Sequence, residues 1–473
     1  MTTYSLTLRD VHVDALKKHL LRADGNEHAA YLLCRPAAIR RDPWDRQSHR
    51  KYLCTEVIPV PDDQIIESTP RLVTWSTVSF VRALRRAAET GQTVAVVHSH
   101  PSGMTGFSPQ DDANEPDLVQ LAVNRNGDGT NILSVILTAD GQFAGRIWLL
   151  PNANAHAPLR LIREIGPRFH LHYPGRGRGS AMPAFDRQAL ALGKALNDDL
   201  HRLRVSVVGC GGTGSAVAML LARLGVGQIA LIDNDIVERT NLNRLHGARQ
   251  ADADAMRPKV EVLAHTIAEM GLGVRAVPFE AWVGDPQCRD VLRSSDFIFG
   301  CTDDHDGRLF LNRFAYYYLV PVIDIGLAIE VDDADPPAVK AFDGRVTVLM
   351  PPDTCLMCRD VAVPDIAAGE ALRRTDPEEY EQRKAEGYVA GEGDPAPAVV
   401  TFTTELACMG VDELIHRLQG YRGPEGSAAN RVRKFHLNED RRPGHKPRPG
   451  CPICASAAIW GQADVDPFLG RAG

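Results

Sequence analysis

Val205-Ser-Val-Val-Gly209-Cys210-Gly211-Gly212-Thr213-Gly214-Ser215 is the stretch that decides the fold of this 473-residue chain. A mostly apolar run that ends in glycines reads as a buried strand, over 204–208, turning sharply into a helix, over 215–224. A further strand is expected over 228–232. Strand, glycine loop, helix and strand in that order make a βαβ unit, the opening of a parallel, doubly wound sheet. Glycines let the backbone approach phosphates, and the amides at the start of the next helix favour an anion. By itself Gly209-x-Gly211-x-x-Gly214, with Gly212 between, signals only a nucleotide or dinucleotide, and it fits an NAD site equally well. Asp233, closing the next strand, can hold a ribose hydroxyl in either case.

The residues that follow break the tie. Leu231-Ile-Asp233-Asn-Asp235 runs on to Asn241-Leu-Asn-Arg244, then to Pro258-Lys259 and Cys301-Thr-Asp303-Asp304. An Arg and a Lys beside phosphates can neutralise a triphosphate and its transition state. Asp303 can hold magnesium, a hard cation that prefers oxygen ligands. Hydride transfer needs none of this. The series resembles the adenylation domain of ubiquitin-activating enzymes and the ThiF-type adenylyltransferases of molybdopterin and thiamine biosynthesis, over about 185–455. The resemblance implies ATP and Mg2+ as cofactors. It implies a nucleotide site built from Gly209, Gly211, Gly212, Gly214, Asp233, Asp235, Asn241, Arg244, Lys259 and Asp303. Phe185-Asp-Arg187-Gln188 resembles the family's entry motif, whose Arg reaches the nucleotide of a neighbouring subunit. A homodimer through this domain follows by the same resemblance.

Upstream, His98-Ser-His100 is followed by Ser108 and Asp111. Two histidines two positions apart at the end of a strand project to one side and can share a metal ion. An aspartate a short loop later can add an oxygen ligand. Three protein ligands leave the fourth zinc position to water, whose pKa the metal lowers to about 7. A separate carboxylate must then carry the proton. His-x-His-x7-Ser-x2-Asp resembles the JAMM metalloproteases, also called MPN+ or JAB domains, over most of residues 1–150. The resemblance implies catalytic zinc on His98, His100 and Asp111, and an oxyanion role for Ser108. It also implies a general base on an early strand. Glu27, just before the strand that starts at Ala29, is favoured, with Glu56 on the next strand as the rival.

Two Cys-x-x-Cys pairs, Cys355/Cys358 and Cys451/Cys454, can together make a closed four-thiolate zinc site, structural in kind. A redox-active pair is the alternative. Ten cysteines in a long chain without an export signal argue for reduced thiols and metal. The segment 359–397 contains no cysteine, whereas ubiquitin-activating enzymes carry a nucleophilic one beyond the adenylation core. Cys408, in the apolar run 399–418, is expected to be a buried structural thiol, and Cys210 a packing residue. The enzyme is therefore expected to stop at the acyl-adenylate.

The remaining sequence sets the frame. Pro174-Gly-Arg-Gly-Arg-Gly-Ser180 reads as a linker over 173–184. It separates an α+β domain, 1–172, from the adenylyltransferase domain, 185–473. Helices are expected over 11–21, 73–90 and 187–200. Strands are expected over 29–34, 52–59, 93–97, 131–138, 142–150, 297–300 and 321–325. The stretch 35–50 reads as a long connection, and 359–397, rich in charge and glycine, as a mobile one. A net charge of −7 argues against nucleic acid as the main partner. No apolar run reaches a membrane span, and the chain is expected to be cytoplasmic. The expected partner is a ubiquitin-like or sulfur-carrier protein with a flexible C-terminal tail, alongside a conjugating enzyme or a sulfurtransferase. A scaffold with both sites dead is the non-enzymatic alternative.

Overall fold

The computed structural model describes residues 2–149, 155–175, 182–332, 338–385 and 397–470. The chain divides into two compact units. The first contains Met1–Arg41, Arg46–Gly177 and Trp460–Gly473; the second contains Asp42–Asp45 and Arg178–Ile459. This differs from the division expected at 172 and 185, because the C-terminal segment groups with the first unit. There Ala38 N donates to Asp464 Oδ2 at 2.7 Å, and the Arg9 guanidinium lies 5.2 Å from the Trp460 ring centre. The expected linker falls at its centre, 176–181, outside the described residues.

The first unit runs β1 (Thr3–Arg9), α1 (Asp10–Leu20), β2 (Ala29–Ile39), β3 (His49–Pro59), β4 (Ile65–Thr69), β5 (Leu72–Trp75) and α2 (Val78–Thr90). It continues with β6 (Thr93–His100), α3 (Pro109–Asn126), β7 (Ile132–Thr138), β8 (Phe143–Trp148), β9 (His156–Pro158), β10 (Leu161–Ile165) and β11 (His170–His172). Nine strands form one mixed sheet in the order β11-β10-β1-β3-β2-β6-β7-β8-β9, and β4 and β5 form a separate hairpin. Strand β2 shows why both faces are covered. Ala30 and Leu32 join the core that contains Leu16 and Leu20 of α1. Ala29, Tyr31 and Leu33 join the core that contains Phe80 and Leu84 of α2 and Val119 of α3. Alternate side chains therefore each bury against a different helix layer, and each large one contributes about 1.5–3 kcal/mol.

Three local expectations change. Residues 72–75 are strand, and the helix starts only at Val78, because Val73 and Trp75 face the β2 core from the hairpin. The connection expected over 35–50 shrinks to 40–48, since β2 runs to Ile39 and β3 begins at His49. β7 and β8 pair antiparallel, as expected, but β8 ends at Trp148 and Leu150 lies outside the described residues.

The second unit opens with α4 (Asp186–Leu192), α5 (Lys194–Arg202), β12 (Arg204–Val208), α6 (Gly212–Arg223), β13 (Gln228–Asp233), α7 (Gln250–Asp254) and α8 (Lys259–Glu269). Next come β14 (Arg275–Glu280), α9 (Arg289–Ser294), β15 (Phe297–Gly300), α10 (His305–Tyr318), β16 (Val322–Val331) and β17 (Val339–Leu349). It closes with α11 (Pro364–Thr375), α12 (Pro377–Ala385), α13 (Val400–Gln419), β18 (Asn430–Lys434) and β19 (Glu439–Arg441). The sheet order is β14-β13-β12-β15-β16-β17-β18-β19. The first five strands are parallel and the last three antiparallel. This is the parallel-rich, doubly wound architecture expected from the glycine loop. The helix expected over 187–200 is broken at Gly193, whose φ of 88° no helix tolerates. Segment 359–397 is not all loop: α11 and α12 occupy much of it, while 386–396 lie outside the described residues. Among the described residues no helix is long and apolar enough to cross a membrane.

Candidate active sites

In the first unit, β6 ends on His98-Ser99-His100. The period-2 alternation of a strand sends both imidazoles one way and Ser99 the other, where its hydroxyl accepts from His28 N at 3.0 Å. Ser108 caps α3: its hydroxyl accepts from Asp111 N at 3.2 Å and donates to Asp111 Oδ2 at 2.8 Å. That cap swings Asp111 towards the histidines. His98 Nε2 lies 3.0 Å from His100 Nε2 and 3.2 Å from Asp111 Oδ1; His100 Nε2 lies 3.6 Å from Asp111 Oδ2. A tetrahedral zinc with N/O bonds of about 2.0–2.1 Å has edges of about 3.4 Å, so this donor set fits such an ion. His100 Nδ1 faces Met104 O at 2.9 Å, and a carbonyl only accepts. Nδ1 therefore holds the proton and Nε2 presents its lone pair, as a metal ligand must. Burial works against charge on Asp111, but the adjacent His100 and His98, together with the Ser108 amide, overcome it and hold the carboxyl well below the usual range.

Glu27 sits beside this triad. Its amide donates to Thr69 O at 2.8 Å, and its carbonyl accepts from Ser68 Oγ at 2.8 Å, so the β4–β5 hairpin holds it in place. With His98 and Asp111 it lines a cavity of about 50 Å³. Burial raises its pKa, the two histidines pull it down, and Asp111 pushes it up. Glu56 instead pairs with Arg86 at 2.7 Å. The structure thus brings Glu27, and not Glu56, to the histidines. The Ser108 hydroxyl is engaged with Asp111 rather than directed at a reacting carbonyl. Arg71 and Trp75, which the sequence reading did not single out, also line the cavity.

The second unit holds a cavity of about 590 Å³. Among the expected residues, Gly209, Gly211, Gly212, Asp233, Asp235, Arg244, Lys259 and Asp303 line it. Gly209 adopts φ 83°, and a Cβ there would meet Cys301 backbone at 2.7 Å. Gly214 is needed one layer behind, where a Cβ would stand 1.7 Å from Gly209 O. The helix begins at Gly212, three residues before the expected start, so the loop's last glycines form its first turn. Asp233 accepts from Cys210 N at 2.5 Å and Asp235 N at 2.8 Å, which fixes its carboxylate at the strand end. Burial raises the Asp233 pKa. Lys259 Nζ lies 2.7 Å from Asp235 Oδ2. Burial opposes the Lys259 charge, but Asp233 and Asp235 outweigh it and raise the pKa. Arg244 donates to Thr240 O at 2.6 Å.

Two expected residues stand apart. Asn241 is not among the lining residues, and its side-chain Oδ1 accepts from Glu238 N at 3.2 Å. Arg187 is exposed on α4 and lines neither cavity. Further residues that sequence reading missed are Trp282, Arg308, Glu370, Arg373 and Arg374. Glu370 accepts from Asp306 N at 2.8 Å, and Arg374 pairs with Asp306 at 2.5 Å and lies 3.4 Å from the Trp282 ring centre. These contacts dock α11 on Trp282 and on the first turn of α10, just after Asp303.

The four cysteines of the two Cys-x-x-Cys pairs are buried together. Sγ–Sγ separations are 3.7 Å for Cys355–Cys451, 3.6 Å for Cys358–Cys454 and 3.7 Å for Cys451–Cys454. Metal–sulfur bonds of about 2.3 Å give tetrahedral edges of about 3.8 Å, so the set fits zinc without rearrangement. Cys210 is fully buried, as expected of a packing residue. Cys408, expected to be buried, is exposed.

A doubly wound domain with a phosphate-type glycine loop, joined to a domain carrying a His-His-Asp triad, defines the class. The chain belongs to the ThiF family, which matches residues 185–453, and residues 9–150 match prokaryotic homologs of the JAB domain. The SAMP-activating enzyme E1 of Haloferax volcanii is 31% identical over 155 residues, covering 33% of this chain and 52% of that protein. The molybdopterin-synthase adenylyltransferase of Salmonella typhimurium is 34% identical over 155 residues, covering 32% and 60%. The adenylyltransferase and sulfurtransferase MOCS3 of Danio rerio is 25% identical over 266 residues, covering 50% and 54%. The matches thus span about half to three-fifths of these relatives. The solved structure of E. coli MccB with MccA-N7isoASN is 18% identical, covers 60% of this chain and 77% of that one, and has a TM-score of 0.45.

Proposed function

We propose that the chain is a bifunctional enzyme of a bacterial ubiquitin-like protein pathway. One head adenylates the modifier's C-terminal carboxylate with ATP and Mg2+. The other is a zinc-dependent peptidase or isopeptidase that trims or releases the same modifier. The observation that carries the reading is the second unit's cavity, where the glycine loop, Asp233, Arg244, Lys259 and Asp303 share one wall system.

The α6 amides would receive phosphate oxygens and Asp233 the ribose hydroxyls. Arg244 and Lys259 would neutralise the charge that builds as a carboxylate oxygen attacks the α-phosphorus and pyrophosphate leaves. Asp303 would hold magnesium, which shields the phosphates. In the first unit, His98, His100 and Asp111 would hold zinc, which supplies an acidified water at neutral pH. Glu27 would take that water's proton and return it to the leaving amine. Ser108 would support the oxyanion after releasing Asp111, or else act through the position of Asp111 alone. Arg187 would act in trans within a homodimer.

A second reading has its own support. Relatives named as a molybdopterin-synthase adenylyltransferase and as sulfurtransferases favour activation of a sulfur-carrier protein, with a sulfurtransferase as partner instead of a conjugating enzyme. The protein would work in the cytoplasm under either reading. The test is intact mass spectrometry of candidate ubiquitin-like proteins incubated with the full chain, ATP, Mg2+ and zinc. Glu27→Ala is expected to lower tail cleavage by at least ~100-fold and to leave ATP–pyrophosphate exchange intact. Asp303→Ala is expected to lower exchange by ~100-fold or more and to spare cleavage. Full exchange in Asp303→Ala would remove its magnesium role.

A further inference from the structure

We infer that Arg146 is a positioning residue for the first unit's metal ligands, setting the directions in which Asp111 and His98 face. This rests on the hydrolase reading above and names what aligns that site. Arg146 stands on β8, does not line the cavity, and is only 4% exposed. Its guanidinium grips the helix that carries Asp111. Nη1 donates to Asp112 Oδ1 at 2.5 Å, and Nε donates to Glu115 Oε2 at 2.9 Å. Trp148, further along β8, donates Nε1 to the same Glu115 oxygen at 2.7 Å. The guanidinium carbon lies 3.8 Å from the centre of the Phe107 ring, and that ring meets His98 in an edge arrangement with centres 6.5 Å apart.

A buried guanidinium is costly unless paired, and apolar side chains would often fill the same space with no loss of stability. What the ion pairs add is direction. Asp112 and Glu115 stand at i and i+3, so they share one face of α3. Held from β8 at both points, that face cannot roll. Asp111 immediately precedes Asp112, about 100° round the helix, so the grip that fixes Asp112 also fixes where Asp111 points. The Ser108 cap sets the same turn from the loop side. Through Phe107 the same cation backs the His98 ring. One side chain thus reaches both Asp111 and His98 without itself lining the cavity. Removing a residue that orients metal ligands in this way typically weakens metal binding about 10–100-fold.

The test uses the full chain and follows the zinc that His98→Ala lacks. The readouts are chelator competition and the cobalt difference spectrum against His98→Ala. Arg146→Ala is expected to weaken that zinc about 10–100-fold and to shift the cobalt bands, while the cysteine-held zinc keeps its affinity. Arg146→Lys keeps the charge but lacks the planar fork that spans both carboxylates, and should recover part of the loss. Asp112→Asn should weaken the same zinc, and adding it to Arg146→Ala should cost little more, since both remove one contact. Ile147→Ala is the control. Its side chain is buried on the opposite face of β8, in the core that contains Leu16, so it should lower the melting temperature and leave zinc affinity unchanged. Wild-type zinc affinity in Arg146→Ala, or equal weakening in Ile147→Ala, would show that Arg146 serves the fold alone, and the hydrolase reading would stand. Should Arg146→Ala fail to fold, Arg146→Lys and Asp112→Asn decide, and wild-type affinity in both overturns the role. If the wild type and His98→Ala hold the same zinc, the metal site itself is wrong, and the hydrolase reading falls with this inference.

Discussion

Cys408 illustrates what one position in a helix decides. An apolar run suggested a buried thiol, yet α13 buries Leu406, Ala407, Val411 and Leu414 and turns Cys408 outward. The signal was present: Glu405 and Asp412 stand three residues before and four after it, which places all three on one face. Partial burial, then Asp412 and Glu405, raises the thiol's pKa. The reactive thiolate is therefore scarce near neutrality and grows only as pH climbs past the ordinary thiol range. Alkylation of Cys408 by iodoacetamide, followed by peptide mass spectrometry, should run slower at pH 7.5 than for a small free thiol and accelerate above pH 9. Fast labelling at pH 7.5 would mark an activated nucleophile and reopen a thioester step. Glu27 was legible for a different reason. Its place just before β2 follows from a family resemblance, and the contacts that hold it, to Ser68 and Thr69, come from strand β4, for which the sequence carries no assignment.

At the scale of elements, the β12–loop–α6 turn was readable because glycine is the only residue that fits it. A Cβ at Gly214 would overlap Gly209 O, and the following helix cannot retreat because it packs on β12 and α13. Gly214→Ala should therefore leave the chain folded but displace the loop, lowering ATP affinity by at least ~10-fold in calorimetry. Wild-type affinity would show that the loop relaxes cheaply. Elements without such a constraint were harder to read. Val73 and Trp75, two residues apart, share one face only in a strand, and the pairing with β4 fixes it. The 187–200 helix carried its own stop signal, Gly193. Helices α11 and α12 are too polar to announce themselves. They form because Glu370, Arg374 and Pro364 give α11 an anchored start and a docked face. Arg373 and Arg374 were missed with them, so the cavity's far wall was invisible in the sequence even though its glycine wall was plain.

Across the whole molecule, the described residues contain two clusters with the donor types and spacings that zinc requires, one of mixed nitrogen and oxygen and one of four sulfurs. Elemental analysis of the purified chain should find close to two zinc ions. The Cys451→Ser variant should lose one of them together with thermal stability, and His98→Ala should lose the other with little change in melting temperature. A single ion in the wild type would remove one assignment. The contrast is expected because closed thiolate sites hold a fold together, whereas open three-ligand sites sit on a scaffold that is already formed.

The sulfur cluster joins residues 96 positions apart in sequence. Between them lie α11, α12, α13, β18 and β19, including the helix moored to the first turn of α10 through Glu370 and Arg374. Closing a ring of that circumference removes on the order of 4 kcal/mol of chain freedom from the unfolded state. Without a metal on these thiolates the ring would unclasp and slacken a mooring at the second unit's cavity, leaving in place the side chains proposed to bind phosphate. Zinc supply would then tune the ATP-dependent half of the protein as well as the half proposed to hydrolyse.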